Sequence, residues 1–161
     1  MAQFHQVSYQ QTYVLPEPST IGGIIIFRSS LLEPDNGPAN DGTTLNLINK
    51  GGDIMLHLSF RPYANIIVFN TRPAKGRWGH PEERVSFQGQ FERGKNITII
   101  IYEHPDRYQV LFNGKTGLYF NKRIYGDTHS IMYEGRPETC FSDTIAFETY
   151  ANWAALVPGS G

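Results

Sequence analysis

Tyr108-Gln109-Val110-Leu111-Phe112-Asn113-Gly114-Lys115-Thr116-Gly117-Leu118-Tyr119-Phe120 spells a β-hairpin. β-Branched and aromatic residues fill both arms, and Asn113-Gly114 supplies the positive φ angles that a tight hairpin turn needs. Just upstream, Ile97-Thr98-Ile99-Ile100-Ile101-Tyr102 is apolar on both parities except for its threonine, which predicts a central strand covered on both faces. Outward from this pair, short runs of the same kind recur, bounded by Gly, Pro, Asn and Asp. Strands are expected at 5–14, 22–28, 43–48, 53–61, 65–71, 83–88, 96–103, 107–113, 116–121, 129–133 and 143–150. About eleven short strands with turn signals between them predict an all-β chain, an antiparallel sandwich or barrel. The most helix-like stretch, Ala151 to Leu156, is closed early by Pro158.

The chain has 161 residues, enough for one ordinary hydrophobic core, so residues 1–161 are expected to form a single domain. The polar segment Leu32 to Gly42 is expected to be a surface loop, because the pieces on either side are too small to stand alone. Only 18% of residues are charged, and Gly 16 and Pro 10 fit strands and turns better than helices. Lys+Arg 14 against Asp+Glu 15 leaves a net charge of -1, without the electrostatic footprint that a phosphate backbone selects, so no nucleic-acid partner is expected. The N-terminus lacks the basic start and apolar run of a signal peptide, and no apolar stretch approaches the ~18 residues of a membrane span. Synthesis in the cytoplasm without membrane insertion is therefore expected.

Single Cys140 has no partner for an intramolecular disulfide, and no neighbouring base marks it as a nucleophile; it is expected to be a small buried hydrophobe. His57, His80 and His104 lack ligand spacing on one element, so neither a metal nor a cofactor is expected.

The chemistry concentrates between Leu56 and Arg84. In Leu56-His57-Leu58-Ser59-Phe60-Arg61, period-two geometry puts His57, Ser59 and Arg61 in a row on one face. Such a row is commonly the solvent face of a half-buried strand, but imidazole, hydroxyl and guanidinium all suit an uncharged polyol. The next strand carries Val68 and Asn70 on one parity, and a short hairpin through Ala64-Asn65 would lay Asn70 beside the first row. Asn offers both donor and acceptor to a hydroxyl. Trp78 stands in Lys75-Gly76-Arg77-Trp78-Gly79-His80-Pro81, too polar and turn-rich for a core strand, and Glu82 and Arg84 follow at i and i+2. An exposed indole beside carboxylate, guanidinium, imidazole and amide groups is what a sugar needs, an apolar ring face and a ring of hydroxyl partners.

Taken in order, His57-Leu58-Ser59-Phe60-Arg61, Val68-Phe69-Asn70 and Trp78 with Glu82-Glu83-Arg84 resemble the carbohydrate-recognition motif of the galectins, and Val68-Phe69-Asn70-Thr71-Arg72 is similar to the fungal, fruiting-body members. The resemblance implies a galectin-type jelly-roll sandwich and a lectin for β-galactosides, not an enzyme. It implies that His57 and Arg61 bond the axial 4-hydroxyl of galactose, Asn70 and Glu82 take the 6-hydroxyl, and Trp78 stacks on the ring. An ion pair between Glu82 and Arg84 would bring the arginine to the 3-hydroxyl of the following glucose or N-acetylglucosamine. It also implies β-galactoside-bearing glycoproteins or glycolipids as partners, and unconventional export to the cell wall or extracellular space.

This chain departs from the family pattern twice. Ser59 stands where most members have Asn, so contact with the 4-hydroxyl is expected to weaken or pass through water, and specificity to shift. The step from Trp78 to Glu82 is one residue longer than usual; either the turn bulges and Glu82 keeps its place, as Pro81 favours, or Glu83 takes the carboxylate role. The rival from another class is a jelly-roll glycoside hydrolase, which needs two carboxyl groups flanking the scissile bond. Among Glu82, Glu83, Glu103 and Asp106 no pair is well placed for that. At about 0.3 kcal/mol per heavy atom, a disaccharide reaches roughly 7 kcal/mol, a Kd near 10 μM. A single weak site per chain predicts multivalency through a homo-oligomer, a dimer or tetramer.

Overall fold

A computed structural model describes residues 2–31, 41–92 and 94–156. Within them lie twelve strands, β1 (Gln3–Ser8), β2 (Gln11–Ser19), β3 (Ile24–Ser30), β4 (Thr43–Ile48), β5 (Ile54–Arg61), β6 (Ile66–Arg72), β7 (Glu83–Ser86), β8 (Asn96–Glu103), β9 (Arg107–Phe112), β10 (Lys115–Asn121), β11 (Thr128–Glu134) and β12 (Thr144–Tyr150), followed by one helical turn, α1 (Trp153–Leu156). They form two six-stranded sheets, β1-β12-β3-β8-β9-β10 and β2-β11-β4-β5-β6-β7, with every pair antiparallel. This is the expected all-β sandwich.

The two sheets meet over an aromatic and aliphatic core. Phe27, Phe60, Phe69, Phe112, Phe120, Phe141 and Phe147 are all essentially inaccessible, and Leu58, Ile99, Val110 and Ile131 fill the space between them. Each such side chain contributes about 1.5–3 kcal/mol by leaving water. Cys140 is part of this core, and burial pushes its thiol up to about 12, so it packs as the small hydrophobe its sequence context predicts.

The β9–β10 hairpin turns where its sequence says it should, with Asn113 at φ 48° and Gly114 at φ 84°. Two other expectations are corrected. The single strand at 5–14 is two, broken at Tyr9-Gln10, where Gln10 adopts φ 68° and its N–H donates to the Tyr133 carbonyl. At that break the chain leaves the first sheet and enters the second. Pro16 and Pro18 suit β2 to the sheet edge it occupies, since neither can donate to a ladder.

The strand containing Ile97 to Tyr102 is not covered on both faces. Ile97, Ile99 and Ile101 are buried against the second sheet, whereas Thr98, Ile100 and Tyr102 are half exposed on the outer face. Continuous apolarity here does not signal a buried middle layer, because in a two-layer sandwich each sheet has only one partner.

The loop expected at Leu32 to Gly42 falls largely on residues 32–40, which lie outside the described residues. No helix among the described residues is long and apolar enough to cross a membrane.

Candidate functional site

The outer face of the second sheet collects the polar groups that the sequence put on one parity. Register sets Asn46 of β4 opposite His57 of β5, and His57 opposite Asn70 of β6. A second transverse row runs Thr44, Ser59, Val68 and Arg84 across β4, β5, β6 and β7. The hairpin through Ala64-Asn65 thus lays Asn70 beside the His57 row, as expected. Asp41 holds that hairpin, its carboxylate accepting from the Tyr63 and Ala64 N–H groups at 2.8 and 3.0 Å.

Between β6 and β7 the chain rises over this face and carries Trp78 with it. Gly79 N–H donates to the Thr71 carbonyl at 2.8 Å, and Asp53 accepts from the Ala74 N–H at 2.8 Å, so the loop is tied at both ends. The bond from the Ala74 N–H and a donor from Asn49 hold the Asp53 carboxyl below the usual carboxylate range. The Trp78 ring centroid lies 4.3 Å from that of His57, with Arg72 5.2 Å over the indole, and 39% of Trp78 remains exposed. It is therefore not a core residue, and part of the indole stays open to the groove.

The His80-Pro81 peptide is cis, and beyond it the two glutamates diverge. Glu82 faces the groove and accepts a short hydrogen bond from Arg84 Nη2. That bond holds its carboxyl below the usual range. Glu83 is turned to Arg123, with Oε2 3.6 Å from Nη2.

His57 is the electrostatic centre. Its Nδ1 lies 2.7 Å from Asn46 Oδ1, an atom that can only accept, so the proton sits on Nδ1 and Nε2 is left as an acceptor. Burial, with Arg61 and Arg72 nearby, lowers its pKa to about 4 and keeps the ring neutral near pH 7. Ser59 is almost inaccessible, and its Oγ accepts from Arg61 Nε at 3.1 Å, so its hydroxyl serves to aim the guanidinium.

The result is a groove of about 490 Å³ lined by His57, Ser59, Arg61, Val68, Asn70, Trp78 and Glu82, joined by Gly42, Thr44, Gly79, His80 and Arg136. Of the eight residues singled out from sequence, Arg84 alone stays behind the lining, reaching it through Glu82. Sequence reasoning missed Thr44, Asn46, Arg136 and, behind the wall, Arg123. Alternation in Thr43-Thr44-Leu45-Asn46-Leu47 carried a signal for the first two, since Thr44 and Asn46 share the parity opposite Leu45 and Leu47.

Chemically the groove offers a neutral imidazole acceptor, fixed guanidinium and amide groups, one carboxylate and a half-open indole. Glu82 is the only carboxylate lining it among the described residues, whereas glycoside hydrolysis requires two. Glu103, another candidate, is buried in an ion pair with Lys122 on a different part of the molecule. Among the described residues no group of three His, Cys, Asp or Glu side chains could hold a metal ion.

Comparison with known proteins bears on this arrangement. The family model described as galactoside-binding lectin matches residues 10–133. Galectin-1 of Coprinopsis cinerea is 34% identical over 154 residues, covering 96% of this chain and 94% of the relative. An anti-tumor lectin of Cyclocybe aegerita is 37% identical over 155 residues, covering 93% and 97% respectively. Among solved structures, Caenorhabditis elegans galectin LEC-6 superposes with a TM-score of 0.66 at 18% identity, covering 90% of this chain and 94% of that one. Sheep galectin-11, in a complex with glycerol, gives a TM-score of 0.64 at 20% identity, with 92% and 96% covered. At those identities the two structures speak for the fold alone.

Proposed function

The chain belongs to the galectin family of galactoside-binding lectins, and from that premise we propose that its groove binds β-galactosides of the lactose and N-acetyllactosamine type. Its role is that of a carbohydrate-binding lectin rather than an enzyme. His57 accepts from the axial 4-hydroxyl through Nε2, and Arg61, aimed by Ser59, donates to the same oxygen. Trp78 stacks on the apolar face of galactose. Asn70 and Glu82 share the 6-hydroxyl, and Val68 floors the row between them. Arg84, fixed by Glu82, reaches the 3-hydroxyl of the second sugar. Axial and equatorial 4-hydroxyls point differently, and a fixed acceptor beside a fixed donor separates them.

The observation that supports this reading is the convergence of His57, Arg61, Asn70, Trp78 and Glu82 on one groove, with the His57 tautomer set by Asn46. One recognition domain spans residues 1–161, so a homo-oligomer supplies multivalency toward glycoproteins or glycolipids. The protein is made in the cytoplasm and reaches those partners outside the cell or in the wall by unconventional export. The Ser59 hydroxyl is committed to Arg61, which favours a second, narrower reading, a lectin whose preference among galactose, N-acetylgalactosamine and other glycans is shifted.

The test is retention on immobilised lactose with elution by free lactose, and loss of both in Trp78→Ala. A protein that ignores lactose yet marks other glycans on an array overturns the galactoside assignment and leaves the shifted lectin. Sedimentation of the free protein as a monomer overturns the multivalent part.

A further inference from the structure

We propose that Arg123 is a positioning residue for the sugar site, holding Asn70 and the turn that carries Glu82 so that both engage one sugar hydroxyl, one as donor and the other as acceptor. The proposal rests on the β-galactoside reading for the identity of that hydroxyl. Arg123 follows β10, the last strand of the first sheet, yet its side chain ends against the second. Its guanidinium carbon lies 4.9 Å over the ring of fully buried Phe120, which backs the guanidinium. From there the fork divides. Nη1 donates to Asn70 Oδ1 at 3.1 Å, and Nη2 donates a short bond to the Pro81 carbonyl, next to Glu82. Glu83 Oε2, 3.6 Å from Nη2, supplies the countercharge.

Asn70 Oδ1 receives a second donor, the Thr71 N–H at 2.8 Å. Two donors on one oxygen decide which end of the amide is which. Nδ2 is the end left for the groove that Asn70 lines, so Asn70 is a donor to ligand. A hydroxyl that accepts from Nδ2 keeps its own proton for the Glu82 carboxylate. Gly79 fits closely against this pair: a Cβ there would lie 2.9 Å from Arg123 Nη1 and 3.0 Å from Asn70 Oδ1, so any side chain would push the guanidinium or the amide out of place. Lysine has one ammonium and no planar fork, so it cannot reproduce the fixed two-nitrogen geometry with which Arg123 holds the two acceptors.

The experiment compares lactose with its analogue lacking the galactose 6-hydroxyl, by calorimetry, in wild type, Arg123→Ala and Arg123→Lys. Arg123→Ala is expected to lose about tenfold for lactose and to change by no more than about twofold for the deoxy sugar, abolishing the preference; Arg123→Lys does not restore it. The Asn70 side-chain amide pair in ¹⁵N-labelled protein, assigned with Asn70→Ser, is expected to shift and broaden in Arg123→Ala. An unchanged preference for the 6-hydroxyl, an equal loss for both sugars, or an unmoved Asn70 amide each overturns the proposal. If wild type binds no lactose, the galactoside reading has failed, and the amide resonance alone decides whether Arg123 holds Asn70.

Discussion

Asn46 Oδ1 accepts the Nδ1 proton of His57 at 2.7 Å, while the Asn46 amide nitrogen faces the Met132 sulfur at 3.9 Å. The thioether is an acceptor only, so the two ends of the amide are fixed by their neighbours and the imidazole tautomer is fixed in turn. Asn46 therefore governs whether His57 presents a lone pair or a proton to the groove.

Asn46→Leu is expected to cost lactose about tenfold in affinity, measured by calorimetry, because His57 then rotates and exchanges tautomers freely. Asn46→Asp puts a carboxylate against Nδ1, raises the His57 pKa toward neutrality and converts Nε2 to a donor. Its lactose binding should weaken as pH falls through the neutral range, with the imidazole titrating in step by NMR. Both variants binding like wild type would mean that the tautomer does not matter.

For the wild type the pH dependence lies lower. With a folded pKa of about 4, the His57 ring stays neutral through the weakly acidic range, and Glu82 stays ionised because Arg84 holds its carboxyl below the usual range. Lactose affinity should be flat from pH 7 to about 5 and fall as pH approaches 4. Stability follows a related course. The unfolded His57 titrates near 6.5 and the folded one near 4, so its contribution is present above 6.5 and is lost as pH falls from there through 4. Up to about 3 kcal/mol is involved, and His57→Asn should lose correspondingly less between pH 7 and 4 in urea unfolding.

The two adjacent glutamates can be told apart by substitution. Glu82→Gln removes the charge that pairs with Arg84 and lines the groove, and should weaken lactose binding by ten- to a hundredfold, on the order of 1–3 kcal/mol. Glu83→Gln, whose partner is the 3.6 Å contact with Arg123, should cost at most about two- to threefold. The reverse ranking in calorimetry would move the carboxylate role to Glu83.

What could be read in advance followed the range of the signal. Period two in Leu56 to Arg61 and the short hairpin to Ile66 are local, and they were enough to bring His57, Ser59, Arg61 and Asn70 to one face. The break at Tyr9-Gln10 was hidden because Val7, Tyr9 and Tyr13 alternate with Gln6, Ser8, Gln10 and Thr12 across it, and no Gly or Pro marks the left-handed turn at Gln10 where the chain changes sheets. Arg123 meets Asn70 across 53 residues through a crossover between sheets, and no periodicity in either segment encodes that meeting. Ile97 to Tyr102 misled in the opposite sense, since apolarity reports tolerance of burial, whereas the number of layers decides whether burial occurs.

Lys122 and Glu103 form an ion pair at 2.6 Å with side chains only 2% and 5% exposed, and Lys122 Nζ also lies 5.3 Å from the Tyr108 ring. Removing one charge leaves the other buried and unpaired, so Lys122→Met should lose about 3–5 kcal/mol in urea unfolding at pH 7, whereas the double variant with Glu103→Leu should return most of it. The single variant also acquires a pH signature. Burial already raises the Glu103 pKa and Lys122 opposes the rise, so without the lysine the carboxyl moves further up. A folded-state pKa above the unfolded one means that the folded state gains the proton first, and stability increases as pH falls. Lys122→Met should therefore be less destabilised at pH 5 than at pH 7, with the double variant showing no such difference. A loss below about 1 kcal/mol in the single variant, or a double variant as unstable as the sum of the singles, would show that the pair is not an electrostatic unit.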